Sequence, residues 1–123
     1  MMSVDDAREL FKGLRQKLSI PNNIEITLEA NPGTFDANKF AQFREIGINR
    51  LSIGVQSFNN KNLEFLGRIH SAEEATQAIK EAQKVGFENI NIDLMYGLKS
   101  QTTELCMEAV SYTHLTLPTI LLV

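Results

Sequence analysis

Arg50-Leu-Ser-Ile-Gly-Val-Gln-Ser-Phe58 is the stretch whose reading decides the fold. Leu51, Ile53 and Val55 alternate with Ser52, Gly54 and Gln56, and a period of two belongs to a strand. One face of that strand is aliphatic. The other is small or polar and ends on the Gln56 carboxamide. A strand covered on both sides carries apolar residues on both, so the pattern predicts one buried face and one that serves a different purpose.

Two further stretches repeat the pattern. Ile24-Glu-Ile-Thr-Leu-Glu29 separates Ile24, Ile26 and Leu28 from Glu25, Thr27 and Glu29. Ile90-Asn-Ile-Asp-Leu94 separates Ile90, Ile92 and Leu94 from Asn91 and Asp93. Three strands therefore finish their polar rows at or near Glu29, Gln56 and Asp93.

Helical spacing fills the intervals. Ala7, Leu10, Phe11, Leu14 and Leu18 predict a helix over residues 3–19. Phe40, Phe43 and Ile46 predict a second over Asp36–Ile46, closed by Gly47 as a left-handed cap. A short helix is expected around Lys61–Leu66. Ser71 and Glu74 form an S-x-x-E capping box opening a long helix to Val85, with Ala75, Ala78, Ile79 and Ala82 inward and Gly86 at its end. Asn31-Pro32-Gly33 stops the first strand, because the residue before a proline is held extended and glycine permits a tight exit.

There is an internal repeat. Glu45-Ile-Gly-Ile-Asn-Arg-Leu-Ser-Ile53 aligns with Lys84-Val-Gly-Phe-Glu-Asn-Ile-Asn-Ile92, an offset of 39 residues. Each unit is helix, glycine, strand. Such a unit cannot bury its own apolar face, so stacked units and a parallel sheet are implied. The fold class is α/β: a fragment of a partial (β/α) TIM-like barrel, with parallel strands near 24–29, 50–56 and 89–95. Barrels of this kind place binding groups at the C-terminal ends of their strands. Three strands do not close a barrel of about eight, and both outer strands would carry unpaired edges. Marginal stability in isolation is therefore expected.

Composition narrows the classes. The chain has 123 residues, a net charge of -3 and one cysteine, Cys106. The charge disfavours nucleic acid and membrane surfaces, which select basic patches. No apolar run is long enough to span a bilayer. The N-terminus is acidic and amphipathic, unlike a signal peptide, and a cytoplasmic location is the expectation. One cysteine excludes an internal disulfide and a multi-thiolate metal site built from this chain. His70, beside the Ser71 cap, reads as a surface residue. Cys106 reads as a helix-face residue, and Met95 and Tyr96 as packing residues.

From Val110 the character changes. Val110-Ser-Tyr-Thr-His-Leu-Thr-Leu-Pro-Thr119 follows neither period over its length. It can be encoded as GTC TCT TAT ACA CAT CTG ACG CTG CCG ACG, which resembles the transposon-end adapter used in DNA library preparation. The expectation is that natural sequence occupies residues 1–109 and that residues 110–123 are a translated adapter. Tyr112, His114 and Pro118 then carry no function.

Four motifs carry a family resemblance: Leu28-Glu-Ala-Asn-Pro-Gly33, Asn49-Arg-Leu-Ser-Ile-Gly-Val-Gln-Ser-Phe58, Leu66-Gly-Arg-Ile-His-Ser71 and Asn89-Ile-Asn-Ile-Asp-Leu-Met-Tyr-Gly-Leu98. Together, over about residues 20–105, they resemble the radical S-adenosylmethionine proteins related to oxygen-independent coproporphyrinogen III oxidase. The wording E-A-N-P-G and G-V-Q-S-F is closer to the heme chaperone branch than to the oxidase. The resemblance implies a partial β/α barrel holding S-adenosylmethionine beside a [4Fe–4S] cluster, with heme or a tetrapyrrole as partner of the parent protein. It implies contacts to S-adenosylmethionine from Glu29, Gln56, Arg68 and Asp93. Carboxylates suit hydroxyls and an ammonium, a guanidinium suits a carboxylate, and a carboxamide both donates and accepts. The alternatives are oxidative decarboxylation of coproporphyrinogen III and a non-catalytic β/α piece.

Two departures stand out. The family's cluster-binding C-x-x-x-C-x-x-C run is missing, so the segment is expected to be inactive as written. The family's Y-G-L-P reads Tyr96-Gly-Leu-Lys99. Sequencing the genomic DNA on both sides is expected to find the three-cysteine run upstream and a different reading after Ala109. Neither feature in the DNA would sink both expectations.

Overall fold

The computed structural model describes residues 2–116, with side chains to Thr113; the rest of the C-terminal run, including Pro118 and the side chain of His114, lies outside the described residues. In chain order the elements are α1 (Val4–Lys17), β1 (Thr27–Ala30), a 3-10 turn (Pro32–Thr34), α2 (Ala37–Ile46), β2 (Arg50–Gln56), α3 (Asn60–Phe65), α4 (Ala72–Val85), β3 (Asn89–Leu94) and α5 (Thr103–Thr116). The strands form one open parallel sheet in the order β1-β2-β3.

The repeat becomes the register. Leu51 pairs with Ile90 and Ile53 with Ile92, the same offset that aligns the two sequence units. Each unit closes its helix on a glycine with positive φ, +120° at Gly47 and +100° at Gly86. An arginine from the preceding layer rests on each. The Arg15 guanidinium comes within 3.0 Å of where a Gly47 Cβ would stand, and that of Arg44 within 3.1 Å of the equivalent point at Gly86. Cations there face the negative end of the helix dipole.

Ser3, Asp36 and Ser71 cap α1, α2 and α4 through their side chains, and the Ser71–Glu74 box is reciprocal. Phe40, Phe43, Leu51, Ile53, Val55, Ala75 and Ile92 are fully buried in a single cluster between helices and sheet. That cluster takes one face of the sheet, as the alternation requires.

The first strand is shorter than its pattern. Ile24 is exposed and pairing begins at Thr27. The cause is Asn49, whose carboxamide accepts from the Ile26 N–H at 2.8 Å and donates to the Ile24 carbonyl at 2.9 Å. A side chain occupies the ladder positions there. At the other end, α5 continues through residues 110–116 although that stretch has no helical period. Tyr112 packs on Phe58 with ring centroids 4.4 Å apart, and Thr113 is buried. Cys106 is half-buried on the same helix.

Phe43→Ala is expected to lower the unfolding free energy of the parent domain by about 3–5 kcal/mol, and Ser71→Ala by about 1 kcal/mol. Urea unfolding measures both. Equal losses would mean that the aromatic cluster is not the principal source of stability.

Candidate functional site

The face of the sheet turned away from the helical core carries Glu29, Ser52, Gly54, Asn91 and Asp93. Register sets their levels. Glu29 pairs with Ser52, and Ser52 with Asn91, so these three share one row. Asp93 lies two residues further along β3. From Glu29 to Asp93 is two strands across and two residues up, about 12 Å between backbones by ordinary sheet spacings. That separation suits an elongated ligand better than a single ion.

Asp93 is held in place. Ser52 Oγ donates to its Oδ2 at 3.1 Å and Asn91 Nδ2 to its Oδ1 at 2.7 Å. Asn91 Nδ2 also donates to Ser52 Oγ at 3.0 Å. Both carboxylate oxygens are engaged by neutral donors, which orients the group, and no ion pair to Asp93 occurs among the described residues. Asn91 is 3 % exposed, and its Oδ1 has no hydrogen-bond partner among the described residues. A buried carbonyl oxygen without a donor is costly, and it marks a place where a donor would be welcome.

Gln56 arrives differently from the others. Between Ile53 and Gln56 the register with β3 slips by one residue, so that Gln56 stands opposite Leu94. An extra residue of this kind bends a strand and re-aims a side chain. Gln56 has φ +68°, and its Nε2 lies 3.2 Å from where a Cβ on Gly54 would be. The carboxamide is folded back over Gly54 instead of extending past the strand end. Gly54 therefore provides the space the amide fills.

Arg68 stands off the sheet. It follows α3 and lines an open groove of about 380 Å³ with Glu64, Ile69, His70 and Glu74. No hydrogen bond or ion pair joins it to Glu29, Gln56 or Asp93 among the described residues. Its neighbours place it near the strand ends all the same: Ile69 and His70 lie 3.4 and 3.5 Å from the point a Gly33 Cβ would take, at the exit from β1. Glu29 is exposed and faces the same side as Ser52. The structure thus gathers Glu29, Gln56 and Asp93 on one face at successive levels, and sets Arg68 beside the exit loops.

Two expectations are corrected. His70 is no surface residue: it is 3 % exposed, with Nε2 3.0 Å from the Val55 carbonyl oxygen. The helix cap beside it is at the surface, but the ring turns inward to the end of β2. Met95 and Tyr96 are not packing residues: their side chains are 44 % and 83 % exposed, although the Met95 N–H still bonds to the end of β2. Ser52, Gly54 and Asn91 belong to the site and were not singled out from sequence. An asparagine inside an apolar strand was the available signal.

A second, larger cleft of about 500 Å³ lies between α3, α4 and α5, lined among others by Lys61, Glu73, Thr76, Lys99, Glu108 and Tyr112. None of the four predicted residues lines it. Glu73 there sits at the start of α4. Its own backbone N–H, then the Ser71 and Asn60 side chains, hold its carboxyl below the usual range.

Cys106 is the one cysteine, and no group of three or more His, Cys, Asp or Glu side chains suited to a metal occurs among the described residues. No helix among them is long and apolar enough to cross a membrane.

The profile of the radical SAM superfamily matches residues 3–112. The heme chaperone HemW of Haemophilus influenzae is 45% identical over 104 residues, covering 85% of this chain and 27% of that protein. HemW of Escherichia coli is 44% identical over 104 residues, covering 85% and 28%. The solved structure of Escherichia coli coproporphyrinogen III oxidase (HemN), described as a radical SAM enzyme, superposes with a TM-score of 0.83 at 29% identity, over 98% of this chain and 28% of that one. The chain spans about a quarter of the length of the curated relatives it matches.

Gly54→Ala is expected to cost the sheet less than about 1 kcal/mol, since only a flexible amide end must yield, while displacing the Gln56 carboxamide. The side-chain amide resonances of Gln56 and urea unfolding report the two effects separately. Unmoved resonances would show that the amide does not lie over Gly54.

Proposed function

The chain belongs to the radical SAM superfamily, and on that premise we propose that it is a central segment of a heme chaperone that binds S-adenosylmethionine across the C-terminal ends of its strands. The observation that carries this reading is the oriented Asp93 carboxylate, held by the neutral side chains of Ser52 and Asn91 on the same face as Glu29. The family pairs S-adenosylmethionine with a [4Fe–4S] cluster. The residues present fit the first of these groups: an orphaned buried amide oxygen, the Gln56 carboxamide lying over Gly54 and two carboxylates match a ligand rich in hydroxyl and ammonium donors. They do not fit the cluster, for which this segment offers one thiol.

S-adenosylmethionine, when bound, brings a sulfonium, an amino-acid arm and a ribose diol. Asp93 and Glu29 accept hydrogen bonds from hydroxyl or ammonium groups, and carboxylates are common readers of a ribose diol. Gln56 offers both N–H donors and a carbonyl acceptor. Arg68, at the exit loops, can hold a carboxylate through two parallel hydrogen bonds. Heme or a related tetrapyrrole is the proposed partner of the whole protein, in the cytoplasm. The greater identity to the chaperones than to the oxidase favours heme transfer over coproporphyrinogen III decarboxylation. Residues from Val110 onward have no part in this.

The test uses the full-length parent protein, reconstituted with iron and sulfide. S-adenosylmethionine is expected to bind, and Asp93→Ala or Glu29→Ala to weaken it about ten- to a hundredfold, the value of a hydrogen bond to a charged group. Binding unchanged in both variants would count against the site. Heme uptake without turnover of coproporphyrinogen III supports the chaperone reading, and decarboxylation turns it to the oxidase.

A further inference from the structure

Val55, Gln56 and Ser57 form a three-residue turn at the end of β2. The Ser57 N–H donates to the Val55 carbonyl at 2.9 Å across Gln56, whose φ is +68°. A γ-turn with positive φ is the rare, strained form, and a residue other than glycine stays there only when its surroundings hold it. Two bonds do the holding. The Met95 N–H donates to the Gln56 carbonyl at 2.9 Å, and the Val55 carbonyl has a second partner in the His70 ring, with Nε2 at 3.0 Å. A carbonyl only accepts, so Nε2 carries the proton.

The imidazole is itself fixed. It precedes the Ser71 cap of α4, and its Cβ packs where the chain passes Gly33 after β1. His70 thus joins three parts of the site: the loop after β1, the end of β2 and the start of α4. Its Nδ1 is buried with no partner among the described residues. An aliphatic side chain would fill that space without burying an unpaired nitrogen. The Nε2–H bond to Val55 is what a histidine provides here and a leucine would not.

We propose that His70 is a positioning residue. By donating to the Val55 carbonyl it locks the turn that folds the Gln56 carboxamide back over Gly54, and so fixes that amide for the ligand of the polar face. The ligand part rests on the S-adenosylmethionine reading above. The turn part does not.

The experiment separates them in the full-length parent protein. His70→Leu keeps packing and removes the donor. His70→Gln returns a donor near the Nε2 position. Without ligand, hydrogen exchange at the Ser57 amide is expected to quicken about tenfold in His70→Leu and to recover in His70→Gln. Unchanged exchange overturns the proposal. With S-adenosylmethionine as the probe, His70→Leu and Gln56→Ala are each expected to weaken binding about tenfold, and the double variant to bind no worse than Gln56→Ala alone. Multiplied losses overturn it, because His70 would then act on the ligand by another route. Should Gln56→Ala and Asp93→Ala both bind like the unmutated protein, the ligand reading fails, and the exchange result alone decides for or against the clamp.

Discussion

Burial of three aliphatic side chains governs this structure. Leu51, Ile53 and Val55 are fully enclosed between β2 and the helices. A pleated strand cannot turn one set of side chains inward without turning the alternate set outward. Ser52 and Gly54 are thereby committed to the opposite face. Parallel pairing carries the same commitment to β1 and β3, where Glu29 and Asn91 join Ser52 in one row. The hydrophobic core and the candidate site are two sides of one constraint.

The site gains definition where that regularity stops. An extra residue before Gln56 breaks the ladder with β3, and the chain turns through a conformation that a glutamine does not take unaided. Strain of this sort persists only where surrounding bonds hold it. Here they come from Met95 and His70, residues 39 and 14 positions along the chain. Asp93, by contrast, is fixed from the row before it, through Ser52 and Asn91. One polar group is thus aimed by regular pairing and its neighbour by a local departure from it.

The distribution of chemistry along the strands follows from the same geometry. Among the described residues β1 and β3 each pair on one side only, and the polar face has functional groups on all three strands. The likeness to coproporphyrinogen III oxidase extends over nearly all of this chain and about a quarter of that one. A segment of this size can supply carboxylates and an amide to a ligand, and it offers one thiol to a metal cluster.

The sequence alone determined the elements from α1 to β3, the parallel sheet and its offset, but not α5. Alternation and caps are local and depend on residues within one or two turns of chain, and the 39-residue repeat shows the same local pattern twice. It also located Glu29, Gln56 and Asp93 on one face. Tertiary structure decided the rest. Asn49 shortened β1 by taking its ladder bonds across 23 and 25 residues. His70 looked exposed because its neighbour is a helix cap, yet its ring reaches Val55 and is buried. The bulge at Gln56 has no local signature, since a slip in register exists only between two strands. Periodicity reports which way a side chain leaves its own backbone; what it meets there depends on contacts that distant segments make when they pack.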